Sequence, residues 1–247
     1  MTFTSATIAI SVGGAAAALA IGGYYYASLW PTSQIFGRTL TAPKLDPHKP
    51  GEIALTFDDG PNPAFTPRLL ELLDRHTVRA TFFLVGKYAS NQPAITRQIA
   101  DNGHLIGNHT WSHPNLARSA PRKVREELSS TNDALEQMLG KAVRFFRPPF
   151  GARRPNVLRT ARELGMTPVT WNAMTNDWSE PSADRIAATL SAKVDRLQAR
   201  GSAANIVLHD GSHREPAANR EPSITAAAQL LDRYAKTHKF VTLEEWN

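Results

Sequence analysis

The sequence predicts an α/β fold: a distorted (β/α) barrel of about seven parallel strands, preceded by an N-terminal hydrophobic helix. Two patterns and a length carry that expectation. From Ile53 to the C-terminus, short apolar runs alternate with helical patterns, the order that a parallel sheet wrapped by helices requires. Polar clusters fall just past these runs: "DDGP" after "IALTF", "NHTWSH" after "HLIG", "RPPFG" after "VRFF", "NDW" after "TPVTW" and "HDG" after "NIVL". In a parallel α/β architecture that position is the rim on which sites are built. Roughly 200 residues follow the N-terminal segments, short of the ~250 typical of an eight-stranded barrel, so a shortened barrel is expected.

Taken in order, the chain opens with 37 residues that carry no charged side chain before Arg38. Within them "ATIAISVGGAAAALAIGGYYYASLW" is apolar and exceeds the ~20 residues that span a bilayer. Tyr24, Tyr25, Tyr26 and Trp30 gather at one end as an interfacial belt would. The basic n-region of a cleaved signal peptide is missing, so residues 1–32 read as an uncleaved membrane anchor. "PTSQIFGRTLTAPKLDPHKPGE" then reads as an extended, proline-punctuated linker over 33–50, with the folded domain over 51–247.

Within the domain the expected strands are "IALTF", "ATFFLV", "HLIGN", "VRFFRP", "TPVTW", "NIVLH" and "FVTLEE". Between them lie helical patterns: "TPRLLELLDRH", "PAITRQIADNG", "PRKVREELSSTNDALEQMLG", "RPNVLRTARELG", "SADRIAATLSAKVDRLQARG" and "SITAAAQLLDRYAKTH". Gly103, Gly140, Gly165 and Gly201 each stand just past a helical pattern, where a left-handed C′ residue belongs. Ser182 and Ser223 are the expected N-caps of the last two helices.

Composition sets outer limits. With 42% hydrophobic and 20% charged residues the chain is ordinary globular material. A net charge of +6 favours anionic neighbours such as cell-wall polymers, but no Lys/Arg run interleaved with aromatics is present. A nucleic-acid partner is therefore not expected, and a monomer is. The absence of cysteine excludes thiolate metal sites, cysteine nucleophiles and disulfides.

The polar clusters have a chemistry in common. His109 and His113, four positions apart, are expected on one face of a helical turn. Two imidazoles and a carboxylate form a facial triad that holds a divalent metal and leaves positions open. Asp59 is the candidate carboxylate, and Asp58 beside it is then free to act as base. A divalent ion lowers the pKa of water it binds towards ~7, and a neighbouring carboxylate can take the proton. Arg147 is a fixed cation that can hold Asp58 ionised and aimed. Pro148 and Pro149 stiffen the next loop, Gly151 permits a tight turn, and the Phe150 N–H can point at a developing oxyanion. His209 suits a general acid for a departing amine. It needs a carboxylate to fix its tautomer, for which spacing leaves Asp177 and Asp210 both open. Trp178 and Trp111 offer flat faces to sugar rings or an acetyl methyl, and Pro149 joins them as a substrate-side candidate.

With these motifs the sequence resembles the polysaccharide deacetylases, carbohydrate esterase family 4, the NodB-homology fold. The resemblance rests on "TFDDGP" at 56–61, "HTWSH" at 109–113, "RPPFG" at 147–151, "NDW" at 176–178 and "LHD" at 208–210. It implies a distorted (β/α) barrel and metal-dependent hydrolysis of N-acetyl groups on peptidoglycan N-acetylglucosamine or chitin-like polymers. By the same resemblance Asp58 is the base, and Asp59, His109 and His113 are the ligands of a divalent metal. Zinc is the usual metal, and cobalt or nickel are compatible with the donor set. Arg147 steers the base, the Phe150 N–H lines the oxyanion hole, and His209 is the acid, oriented by Asp177. Leu208 and Trp178 line the acetyl pocket. An anchored member of such a family is expected in the cell envelope, with its domain outside the cytoplasm, or secreted if the N-terminal segment is cleaved. Two positions depart from the family pattern: Phe150 stands where Tyr is usual, and Leu105 where Glu is common. An O-acetyl esterase acting on xylan-type polysaccharide and a non-catalytic carbohydrate-binding homologue are the alternatives.

Overall fold

A computed structural model describes residues 20–247, so most of the apolar segment read as an anchor lies outside the described residues. Helix α1 occupies residues 20–29. Among the described residues no helix is long and apolar enough to cross a membrane. The domain then runs through β1 (Glu52–Asp58), α2 (Thr66–Arg75), β2 (Thr81–Leu84), α3 (Gly86–Asn91), α4 (Pro93–Asp101), β3 (Leu105–Asn108) and α5 (Pro121–Leu139). It continues through β4 (Phe145–Phe146), α6 (Pro155–Glu163), β5 (Thr167–Pro168), β6 (Ala173–Met174), α7 (Ala183–Gln198), β7 (Ala204–His209), α8 (Glu221–Tyr234) and β8 (Lys239–Val241).

Seven parallel strands follow one another in the order β5-β4-β3-β2-β1-β7-β6, and β8 pairs with the start of β1. The sheet curls into a barrel open between β5 and β6. Alternation along the strands decides which side chains enter it. Ile53, Leu55 and Phe57 of β1 join Phe82, Leu208 and the apolar faces of α2, α7 and α8 in the main core outside the barrel wall. Ala54, Phe83, Phe145 and Val169 form a smaller core inside it. The inward register of β1 is therefore Ala54, Thr56, Asp58, and that of β7 is Asn205, Val207, His209. Parallel pairing sets Asp58 opposite His209 on one side and Phe83 on the other, so the carboxylate and imidazole reach the same rim.

The open side is occupied by residues 39–45, which the sequence reads as linker. Leu40 exchanges backbone hydrogen bonds with Pro168 and Thr170, at 2.8 and 2.9 Å. Further on, the Ala203 N–H donates to the Pro43 carbonyl and the Leu45 N–H to the Gly201 carbonyl. The segment is extended, as its prolines require, and it is laid against the barrel.

The expected helix ends hold where glycine is concerned: Gly103, Gly140, Gly165 and Gly201 all have φ between 65° and 78°. Ser182 caps α7 by accepting from the Arg185 N–H. Ser223 does not cap α8. That helix starts at Glu221, because Pro222 fits the first turn, and Ser223 sits inside it. Strand β6 and helix α3 were not anticipated: two residues and one and a half turns are too short for periodicity to register.

Candidate functional site

The site is built from the ends of strands. Asp58 closes β1, and the chain turns sharply at Asp59 with φ 71°. Thr110, His113 and Phe150 also hold left-handed backbone, at φ 69°, 59° and 59°. Side chains other than glycine seldom adopt that region, and four occurrences on one rim mark where the surrounding structure sustains strain.

This corrects the expected helical turn at 109–113. His109 leaves β3 with its N–H on the Leu84 carbonyl, and the next four residues form a loop rather than a helix. Asn108 Oδ1 accepts from the Thr110 N–H, Thr110 Oγ1 accepts from the His113 N–H, and the buried Glu127 of α5 accepts from the Ser112 N–H and hydroxyl. Those bonds bring His113 back beside His109, with ring centroids 4.9 Å apart.

Asp59 Oδ1 lies 3.1 Å from His113 Nε2 and 3.5 Å from His109 Nε2. The three groups are buried, and their ligand atoms all fall within 4.8 Å of one another. His109 Nδ1 donates to the Arg147 carbonyl at 2.8 Å, which leaves its Nε2 lone pair facing Asp59. Asp59 Oδ1 is buried with no hydrogen-bond partner. Burial opposes the charge on Asp59, yet the neighbouring His109, His113 and His213 rings hold its carboxyl well below the usual range. Burial lowers the proton affinity of His113. An anionic oxygen lacking a donor beside two imidazole lone pairs fits a divalent cation.

Asp58 is held from beneath. The wholly buried Arg147 donates through one terminal nitrogen to Asp58 Oδ1 and to Thr56 Oγ1, both at 2.7 Å, and through the other to Asn205 Oδ1. Its guanidinium lies 4.1 Å above the Phe83 ring. A salt bridge at such depth fixes geometry, since either partner alone would be an uncompensated buried charge.

The two carboxylates left open for His209 separate cleanly. Asp177 Oδ1 pairs with His209 Nδ1 at 2.8 Å, and its Oδ2 accepts from the His209 N–H and from the Ser223 hydroxyl. Burial alone would lower the His209 pKa; the charge and hydrogen bond of Asp177, with help from Asp59 and Asp58, push it up to about 9. Asp210 points away, bonded to Thr66 Oγ1, and burial raises its carboxyl to about 7.

A cavity of about 510 Å³ opens over these groups, lined by Asp58, Asp59, His109, His113 and His209, with Phe150, Trp171, Met174, Trp178 and Val207 as its apolar wall. Trp178 is half exposed there and stands edge-on to His209, 5.1 Å between centroids. Three residues expected on the substrate side do not line this cavity. Leu208 is outside the barrel wall in the main core, and strand alternation puts Val207 at the cavity instead. Trp111 is packed over Gly86 and does not line the cavity. Pro149 is buried beneath the loop that presents Phe150. Gly151 and Ala152 direct their N–H groups to the Pro148 and Pro149 carbonyls, and the Phe150 N–H takes no part in either turn bond.

His213 was missed. Its ring stacks on His113 at 4.2 Å, its backbone N–H donates to Asp59 Oδ2, and its Nδ1 lies 3.4 Å from the same oxygen. The only signal was a histidine four places after His209, with no strand or helix to place it.

A curled parallel barrel whose rim gathers a carboxylate held by a buried arginine, a His-His-Asp group that could hold a metal ion and a carboxylate-oriented histidine has the makings of a hydrolase site. The model of one family, described as polysaccharide deacetylase, matches residues 46–169. The chain is 37% identical over 198 residues to a peptidoglycan-N-acetylglucosamine deacetylase of Bacillus cereus, covering 80% of this chain and 68% of that protein. It is 41% identical over 167 residues to a chitooligosaccharide deacetylase of Azorhizobium caulinodans, covering 67% and 77%. Among solved structures, the Bc1960 peptidoglycan N-acetylglucosamine deacetylase superposes with a TM-score of 0.72 at 35% identity, over 84% of this chain and 91% of that one. The chain belongs to the polysaccharide deacetylase family and is a carbohydrate N-deacetylase, a hydrolase of carbon–nitrogen bonds.

Proposed function

We propose that the protein removes acetyl groups from N-acetylglucosamine units of peptidoglycan, with Asp58 as base, His209 as acid and Asp59, His109 and His113 as ligands of a divalent cation. The observation that carries this is the convergence of Asp59 Oδ1 with the two histidine Nε2 atoms beside an Arg147-held Asp58. A divalent cation bound there supplies Lewis acidity, lowering the pKa of a water and polarising the acetamide carbonyl. Asp58, aimed by its bond from Arg147, accepts the proton of the attacking water. The Phe150 N–H donates to the oxygen that becomes negative. His209, protonated at neutral pH through Asp177, delivers its proton to the departing sugar amine. Trp178, Val207 and Met174 shield the acetyl methyl from water.

Peptidoglycan is preferred to a neutral chitin-like polymer because the net charge is +6 and Arg214 lines the cavity from an exposed position, where carboxylate-bearing chains would pass. The apolar residues among 1–32 support a membrane anchor, and it is the peptidoglycan substrate that would put the domain at the outer side. Acetate and free amine released from peptidoglycan and from acetylated chito-oligomers, measured with and without chelator, test the assignment. Turnover is expected to vanish with chelator and in Asp58→Asn; turnover surviving either treatment rules the mechanism out.

A further inference from the structure

The described chain ahead of the family-matched segment is not idle. Ala27, Ser28 and Ser33, around the end of α1, are buried at 2–3% exposure. Ser28 and Ser33 are held by Arg153, two residues past Gly151 and itself buried to 1%. One of its terminal nitrogens donates to the Gly151 carbonyl at 2.9 Å and reaches the Ser28 carbonyl at 3.4 Å. The other donates to the Trp30 and Ser33 carbonyls at 2.6 and 2.8 Å, while the Arg153 backbone N–H donates to the Ser28 carbonyl at 3.0 Å. No carboxylate pairs with this cation among its recorded bonds; it is satisfied by carbonyls at a helix C-terminus, where the macrodipole favours positive charge. The same N-terminal segment reaches the catalytic groups a second time. Asn205, whose Oδ1 receives Arg147, donates its own amide to the Thr41 and Thr170 carbonyls.

We propose that residues 27–45 are a working part of the catalytic unit, with Arg153 as a positioning residue that clasps the Phe150 loop to the end of α1. A loop whose Phe150 sits at φ 59° needs outside support to hold its N–H in place. Arg153 supplies it by fixing the Gly151 carbonyl to a helix end. The inference rests on the reading of the Phe150 N–H as the donor to the oxyanion. A displacement on the order of 1 Å at such a donor costs up to ~100-fold in rate.

The test uses the full chain, loaded with metal, carrying Arg153→Met or Arg153→Lys, assayed by acetate release together with metal content and hydrogen–deuterium exchange. Arg153→Met is expected to lower kcat about 10- to 100-fold while KM and metal per chain hold. Exchange should rise together in residues 28–33 and 149–153. Arg153→Lys, whose ammonium reaches some of the same carbonyls, should recover part of the kcat, and it carries the test if the Met variant does not fold. Increased exchange confined to residues 28–33 with kcat unchanged overturns the clasp. Increased exchange in both segments with kcat unchanged overturns the oxyanion role of Phe150 instead. A fall in kcat matched by lost metal overturns the positioning role.

Discussion

Asp58 and Asp59 are adjacent carboxylates with opposite dependencies. Asp58 is balanced within the protein by Arg147, whereas Asp59 Oδ1 has imidazoles around it and no donor. On the proposed roles, replacing a ligand should therefore remove the metal, and replacing the acid should not. His113→Ala is expected to lose metal and activity together. His209→Ala should keep its metal while kcat drops on the order of 10²–10⁴-fold; loss of metal in that variant would show the role of His209 to be misassigned. The pH dependence has a definite sign. Burial works against the proton on His209 and Asp177 overrides it, so the acid form persists up to about 9 in the metal-free protein. A bound cation offsets the Asp59 and Asp58 contributions, which places the basic limb of kcat/KM in the loaded enzyme below that value. Asp177→Asn removes the main cause of the raised pKa, so the limb should move to lower pH; a limb that stays in place would mean that another group sets it. His213 offers a further test. A partner of a ligating carboxylate typically changes metal affinity 10- to 100-fold, so His213→Ala should weaken zinc binding in chelator competition by that order. Asp58, Asp59, His113, Arg147, Asp177 and His209 could be read from five short motifs, because each motif carries its chemistry in nearby positions. His213 could not, since its contact with Asp59 spans 154 positions and nothing local announces it.

At the scale of elements, the site exists because two loops touch through a missing side chain. Gly211 follows the β7 cluster, and a Cβ placed on it would fall into the Asp59 carbonyl. The obstacle is backbone on both sides, so neither loop can yield without moving Asp59. Gly211→Ala is expected to destabilise the protein by more than about 3 kcal/mol and to weaken metal binding with it. A variant with unchanged melting temperature and metal affinity would show that the loops have slack. Legibility differs among the elements for the same physical reason. Helix α5 spans 19 residues, Pro121–Leu139, and ends at Gly140, so apolar spacing and a stop residue agreed over several turns. Strands β4 and β5 have two residues each, and their positions were legible only through the polar motifs or turns beside them. The spacing of His109 and His113 suggested a helical turn, and the loop instead meets the requirement with two left-handed residues and bonds to Asn108 and Glu127. Spacing reports that two groups can meet; it does not report the backbone that brings them together.

On the scale of the whole molecule, a barrel that fails to close must do something with its open side. Here β5 and β6 are the sheet edges, and the gap beside them takes residues 39–45 in place of a strand. Prolines at 43, 47 and 50 and the charges at Lys44, Asp46 and Lys49 made this segment look like solvated linker, because a strap bonded mainly through its backbone leaves little hydrophobic pattern. Its removal has consequences inside the barrel. Without it, the Thr170 and Ala203 N–H groups lose their acceptors, and the Asn205 amide loses the Thr41 carbonyl. At a net ~1 kcal/mol for each lost hydrogen bond, the three together remove about 3 kcal/mol. For a domain of this size 1 kcal/mol corresponds to ~2–4 °C in melting temperature. Because the carbonyls of Ser28, Trp30 and Ser33 that satisfy the buried Arg153 go as well, a chain beginning at Gly51 is expected to melt at least about 6–12 °C below one beginning at Ala27, with the same metal in each. Equal melting temperatures would mean that the strap is carried passively on a barrel already complete from Gly51. A fall of the expected size would instead place the boundary of the folding unit ahead of the linker prolines, and the open edge of the barrel is the reason it has to lie there.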